Sequence, residues 1–335
     1  MTLTGMSNRI RAAVAACLCI AALGGLEGCS LASEPGDDAS TAPSPTSPSP
    51  IKVVATLNQW GSLAEQIGGS AVQVTSLLSS GSGDAHGFEP DSQDIKALDE
   101  AAIVLVNGAG YDDWATRHVP SSATIISASQ VVGAMDGDNP HLWFSRDARF
   151  AVAKELAEAF TRADRSRQEL FEGNLATWKQ KEQSLEDRMH KFGKEHAGLT
   201  YAATEDVAYY LMSDIGFKDT TPAAYRQSAA NGEDPSDTAL KSFVALLADD
   251  RPDLLVSNPQ APDVANDTLT SAAKAHDVPI VEVTEQMPGD CKDLTDWIER
   301  LFTRISDAVE DGDSVSGQAA SPSTTGASDP DDNDA

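Results

Sequence analysis

IKVVATLNQWGSLAEQIGGSAVQVTSLL, residues 51–78, holds the pattern that decides the fold. Residues 51–56 form a short, nearly unbroken apolar run with β-branched side chains, as in a strand buried on both faces. An amphipathic helix is predicted from about 59 to 67, ended by Gly68-Gly69. Residues 72–78 read as a second strand. The alternation continues outward. A loop carrying His86 leads to a helix near 92–98, a third strand at 102–106 and a short fourth at 124–126. Strands alternating with helices predict a parallel sheet covered on both faces.

Residues 146–189 contain no Pro, and Val152, Leu156, Phe160, Leu175, Trp178 and Leu185 recur at helical spacing. One very long helix is expected, roughly 65 Å at about 1.5 Å per residue. The alternative is two helices with a turn at Glu172-Gly173-Asn174. The pattern then restarts, with strands at 199–203, 253–257 and 279–283 and helices at 206–212, 235–247, 264–275 and 294–309. The expected class is α/β. Two Rossmann-like lobes, 51–145 and 191–309, are joined by a long rigid helix at 146–190, with no close sequence repeat between them.

The flanks differ in composition. Arg9 and Arg11 precede an apolar or small run, 12–26, that is too short to span a bilayer comfortably. It ends in Leu26-Glu27-Gly28-Cys29, which resembles a lipobox, although Glu27 stands where a small uncharged residue is usual. Residues 1–28 are expected to be a lipoprotein signal peptide and Cys29 the lipid-bearing residue. An uncleaved membrane anchor is the alternative, and either places the body outside the cytoplasm. Residues 29–50 are rich in Ser, Pro and Thr, as in an extended tether. Residues 310–335 are acidic and are expected to be a disordered tail. With Cys17 and Cys19 in the signal and Cys29 lipidated, Cys291 has no partner for an internal disulfide.

The formal net charge of the 335-residue chain is −28. Such a field repels nucleic acid and attracts cations, so no nucleic-acid partner is expected.

In open parallel sheets, ligands bind beyond the carboxyl ends of the strands. Four potential metal ligands fall at such places: His86 in Asp84-Ala-His-Gly-Phe-Glu-Pro90, His141 in Asn139-Pro-His-Leu-Trp143, Glu205 after the strand at 199–203, and Glu285 after the strand at 279–283. Each has a plainer reading. A loop His is usually solvated or hydrogen-bonded, and either Glu favours the start of a following helix. Position alone does not establish that the four converge. Glu89 suits a helix start or support of the site, because Pro90 begins what reads as a helix, and Asp84 is a further candidate for support. Trp60, Trp114 and Trp143 read as core residues or as cleft lining.

Several blocks occur together in a specific order. They are Val53-Val-Ala-Thr-Leu-Asn-Gln-Trp60, Gly68-Gly69, His86-Gly-Phe-Glu-Pro90, Asn107-Gly-Ala-Gly-Tyr-Asp-Asp-Trp114, Asn139-Pro-His-Leu-Trp143, Ala203-Thr-Glu205 and Thr284-Glu285. In this order and spacing the body resembles the zinc- and manganese-binding solute-receptor family of ABC importers. The resemblance implies two lobes on a rigid helix with a metal site in the cleft. It implies that the ligands are His86, His141, Glu205 and Glu285, the last standing where the family usually has Asp. It further implies a bound Zn2+ or Mn2+ as cargo, no catalytic cofactor, and an ABC permease with its ATPase as partners. A membrane-anchored monomer outside the cytoplasm is expected.

Two other functions fit parts of the sequence. A metallohydrolase would keep an open metal position, a bound water and a general base, yet no His-Glu-x-x-His, Gly-x-Ser-x-Gly or strand-linked Gly-x-Gly-x-x-Gly motif occurs. A metal-dependent surface adhesin would suit the lipid and tether equally well. The metal itself stays open between zinc and manganese, since imidazole and carboxylate together suit both.

Overall fold

The computed structural model describes residues 49–79, 88–260 and 263–319. His86, Asp84, Cys29, the signal, nearly all of the tether and residues 320–335 lie outside that set.

Strands β1 (Ile51–Leu57), β2 (Val72–Leu78), β3 (Ile103–Val106) and β4 (Thr124–Ser127) form one sheet in the order β2-β1-β3-β4. Every pairing is parallel, with Val53 opposite both Val74 and Ile103. A second parallel sheet holds β5 (Thr200–Ala203), β6 (Lys218–Asp219), β7 (Leu254–Ser257) and β8 (Ile280–Glu282) in the order β6-β5-β7-β8. The two orders are one topology used twice, so the lobes repeat in structure without a close repeat in sequence. In each sheet the strand order reverses at the central pair, β1/β3 and β5/β7. Such a reversal opens a crevice at the carboxyl ends of the strands, where ligands bind.

Helix α1 (Asn58–Gly68) follows β1 without a loop. It stops at Gly69, whose φ of 54° lies in the region that glycine adopts without penalty. Helix α2 (Ser92–Glu100) is capped by Asp91 in a capping box with Asp94. That corrects two expectations. Pro90 lies before the cap rather than inside the helix, and Asp91, not Glu89, starts it, Glu89 itself being exposed. Short helices α3 (Asp113–Thr116) and α4 (Ala128–Val132) complete the first lobe.

The single long helix is also corrected. The segment folds as α5 (Arg146–Ala163) and α6 (Gln168–Glu195). Asp164 takes an extended backbone (φ −144°), and its carboxylate accepts from Ser166 N at 2.9 Å, Ser166 Oγ at 2.6 Å and Arg167 Nε at 2.6 Å. Those bonds cap a new 3-10 turn and reverse the chain. The two helices then run antiparallel, with Phe160 against Phe171 (ring centroids 5.5 Å apart) and Phe150 against Trp178 (5.2 Å). Gly173, proposed as the alternative break, lies inside α6. The helix that joins the lobes is therefore α6, about 42 Å long, and α5 packs back on it.

The second lobe adds α7 (Tyr209–Ile215), α8 (Ala223–Ala230), α9 (Asp237–Ala245), α10 (Val264–Ala275) and α11 (Leu294–Ala319). Helix α11 runs into the segment expected to be a disordered tail. No Pro interrupts it before Pro322. One apolar cluster takes in Val53, Trp60, Trp143, Val281 and Trp297, so the core is continuous across both lobes.

Where α6 crosses α7 there is no room for a side chain. A Cβ at Gly193 would lie 1.8 Å from the Ile215 carbonyl oxygen. Gly193→Ala should therefore destabilise the fold by about 1–3 kcal/mol, as overpacking does. Urea unfolding checks this; a change below about 0.5 kcal/mol, the range of a bland surface substitution, would contradict the close approach.

Candidate metal centre

The facing carboxyl ends of the two sheets bring three of the sequence candidates together. One ligand atom from each of His141, Glu205 and Glu285 lies within 4.8 Å of the others. His141 and Glu285 are buried and Glu205 is half-buried.

His141 is set by its own loop. Asn139 Oδ1 accepts from the His141 main-chain N at 2.9 Å and lies 2.8 Å from Nδ1. Asn139 Nδ2 donates to the Asp206 carbonyl at 2.8 Å, which fixes the amide the right way round. An acceptor at Nδ1 assigns the proton to that nitrogen and leaves Nε2 with a lone pair that could coordinate an ion. The 3-10 turn Leu142–Phe144 follows at once. The Trp143 ring meets the imidazole edge-on at 5.3 Å. Trp60 and Trp143 are fully buried, and Trp114 is half-buried against Phe88.

Glu205 lies just past β5 with an extended backbone, and its side chain makes no capping bond to the following turn. Its Oε2 instead accepts from Asn258 Nδ2 at 2.7 Å. Glu285 lies just past β8, well before α11 begins. Its main-chain N donates to Gln260 Oε1 at 2.8 Å, and its carbonyl accepts from Gln59 Nε2 at 3.2 Å. Its carboxylate accepts from Tyr111 OH at 2.6 Å and from Asn258 Nδ2 at 3.3 Å. Gln59 and Tyr111 come from the first lobe, Gln260 and Asn258 from the second, so Glu285 is held from both sides of the cleft.

The loop that delivers Tyr111 is built on a buried carboxylate. Asp112 accepts from Thr56 Oγ1 at 2.5 Å, Asn107 N at 2.7 Å and Gly108 N at 2.8 Å. Burial pushes its pKa up, while these donors pull it down. Gly108, Ala109 and Gly110 all have positive φ, which folds the chain back toward the cleft. Asn107 joins this loop to the His141 loop, accepting from Trp60 Nε1 at 3.0 Å and donating to the Pro140 carbonyl at 2.8 Å.

A cavity of about 400 Å³ opens beside the cluster, lined by Tyr111, Asp138, Asn139, His141, Glu205 and Asp206 among others. Burial first, then the charge of Asp219, raises the pKa of Asp206 to about 6 against the pull of Arg226. Two carboxylates and an imidazole are a donor set for a divalent transition metal.

Asn258, Tyr111 and Gln260 were not foreseen as site residues. Asn258 did carry a signal, since it follows β7 directly, much as Glu205 follows β5. Asp84 and His86 lie outside the described residues, and Glu89 is exposed.

The manganese-binding lipoprotein MntA of Halalkalibacterium halodurans is 26% identical over 147 residues, covering 42% of this chain and 49% of that protein. This chain thus spans about half the length of that relative. The manganese ABC transporter substrate-binding lipoprotein PsaA of Streptococcus pneumoniae is 26% identical over 221 residues, covering 60% and 70%. The solved structure of FpvC from Pseudomonas aeruginosa in complex with Mn2+ superposes with a TM-score of 0.65 at 20% identity, covering 78% of this chain and 99% of that one. It shows the same two-lobe fold. A family model described as zinc-uptake complex component A, periplasmic, matches residues 53–308. The chain belongs to that ZnuA family of metal-binding receptors.

Proposed function

We propose that this chain is an extracytoplasmic receptor that captures one divalent transition-metal ion, zinc or manganese, and delivers it to an ABC importer. The observation that carries the reading is the convergence of His141, Glu205 and Glu285 from opposite lobes onto one point. His86, which lies outside the described residues, is taken as the fourth ligand because the family resemblance of its block implies it. Four protein ligands enclose an ion and leave no position for a reacting water, which suits capture and release rather than hydrolysis. The ion is cargo, and the chain acts as a binding protein and not as an enzyme. It works as a monomer with a membrane permease and its ATPase. The body comprises lobes 51–145 and 191–309 with the linking segment between, the signal and tether before it and the acidic tail after it.

The import reading is tested in cells starved of metal. Loss of the gene should lower accumulation of the ion, and the parent gene should restore it while His141→Ala does not. Equal restoration by both would show that the cluster plays no part in uptake.

Anchoring rests on Cys29. Among the described residues no helix is long and apolar enough to cross a membrane, and a lipidated Cys29 would hold the body at the surface. Cys29→Ala should release the protein from the membrane fraction or leave it as a precursor. Unchanged size and membrane retention would remove Cys29 from the account.

A further inference from the structure

Beside the three ligands stand two side chains that govern how the carboxylates face. Asn258 is 2% exposed. Its Oδ1 accepts from the Gln260 main-chain N at 2.9 Å, so its NH2 group must point the other way. That NH2 donates to Glu205 Oε2 at 2.7 Å and to Glu285 Oε1 at 3.3 Å. Across the cleft the Tyr111 hydroxyl, also 2% exposed as a residue, donates to Glu285 Oε2 at 2.6 Å. One neutral amide therefore spans both acids, and on Glu285 the strong phenol donor holds Oε2, so that only the long 3.3 Å amide contact touches Oε1, the oxygen left for an ion.

A carboxylate binds a metal through one oxygen or through both. Binding through both requires the ion to lie in the carboxylate plane, between the two oxygens. A strong donor on one oxygen fixes the rotation of the group and draws charge from that oxygen, so the ion meets a single oxygen. Zn2+ is satisfied by four donors in a tetrahedron, while Mn2+ favours an octahedral, oxygen-rich shell. Building on the metal-receptor reading above, we propose that Asn258 and Tyr111 are specificity-determining residues. By holding Glu205 and Glu285 as one-oxygen ligands they keep the coordination number low, and so favour Zn2+ over Mn2+. They act through the ligands and are positioning residues.

The test uses the purified chain with Co2+, Zn2+ or Mn2+ alone. Cobalt(II) absorbs visible light strongly when four-coordinate and weakly when six-coordinate. Tyr111→Phe removes only the hydroxyl and keeps the ring that meets Trp143 edge-on at 5.4 Å. Asn258→Ala is the second variant, so a folding failure in one leaves the other. The parent should give the strong cobalt band. Each folded variant should weaken the band and shift the ratio of the Mn2+ and Zn2+ dissociation constants toward Mn2+ by about tenfold, the lower end for groups that support a metal ligand. A weak, six-coordinate band from the parent overturns the proposal, as do variants whose band and ratio match the parent. Failure of the parent to bind any of the three ions overturns the receptor reading itself, and this proposal with it.

Discussion

Replacing His141 by Ala is expected to weaken metal binding by at least about a hundredfold. Loss of a group that merely supports a ligand costs about 10–100-fold in affinity, and loss of a ligand should reach or exceed the top of that range. The imidazole is oriented before any ion arrives, through Asn139 Oδ1 at Nδ1 and Trp143 against the ring. Little of its coordination free energy is therefore spent on ordering. The neighbouring turn is held by other contacts, so the variant should still fold: Asn107 donates to the Pro140 carbonyl at 2.8 Å, and Tyr210 OH to the Asn139 carbonyl at 3.0 Å. Competition titration against a chelator, with the melting curve of the metal-free protein as control, gives both quantities. A folded variant with the parent's affinity would place the site elsewhere.

The largest loss of stability is expected at Arg149. Its side chain is fully buried between two equally buried carboxylates, Glu182 at 2.5 Å and Glu186 at 2.6 Å. It also donates to the carbonyls of Phe144 at 2.9 Å and Trp143 at 3.3 Å, in the turn that follows His141. Thr295 on α11 donates to Glu182 at 2.9 Å. The guanidinium thus ties α5, α6 and the turn after His141 together, and through Glu182 it reaches α11. Arg149→Met would fill much of the volume but leave two acids without their counter-ion. Breaking such a buried group typically costs about 3–5 kcal/mol.

The loss should also depend on pH. Burial raises the pKa of Glu186 to about 7, with Arg149 the chief opposing influence and Asp214 and Glu182 adding to the rise. The unfolded carboxyl titrates near 4.5. Between these values the folded chain binds more protons than the unfolded chain, so this group lowers stability as pH rises through the window. Without the guanidinium the opposition is gone, and the deficit of the variant should be larger at pH 8 than at pH 5. Urea unfolding at the two pH values measures it. A deficit below about 1 kcal/mol, the size of an ordinary substitution, or one that does not grow with pH, would contradict this account of the network.

Much of the fold was legible because parallel strands buried on both faces leave unbroken apolar runs. The run at 254–257 is of that kind, the one at 51–57 nearly so with only Lys52 exposed, and their helices follow at helical spacing. The two-residue strand β6, Lys218–Asp219, is polar and at a sheet edge, and leaves no such run. The reversal at Asp164 was hidden for a different reason. Both helices of the hairpin bury their apolar faces in one core, so the periodicity passes through the turn without a Gly or Pro to mark it. The capping Asp was the local sign.

At the site, Glu205 and Glu285 stood out by their places just past strands, and these two and His141 by the resemblance of the surrounding blocks. Their convergence depends on how the lobes face one another, which no local pattern encodes. The same holds for Asn258 and Tyr111. Each is an ordinary polar residue in the sequence, and its partner lies 27 positions away for Asn258 with Glu285 and 174 for Tyr111 with Glu285.

An ion held between the lobes should survive removal of free metal. Elemental analysis of the protein, stripped of metal, reloaded with one equivalent of Zn2+ and passed through a desalting column, measures this. About one tightly held ion per chain is expected in the parent, and almost none in Glu285→Ala or His141→Ala proteins that remain folded. Retention of the same ion by both variants, or loss of all metal from the parent on the column, would contradict it.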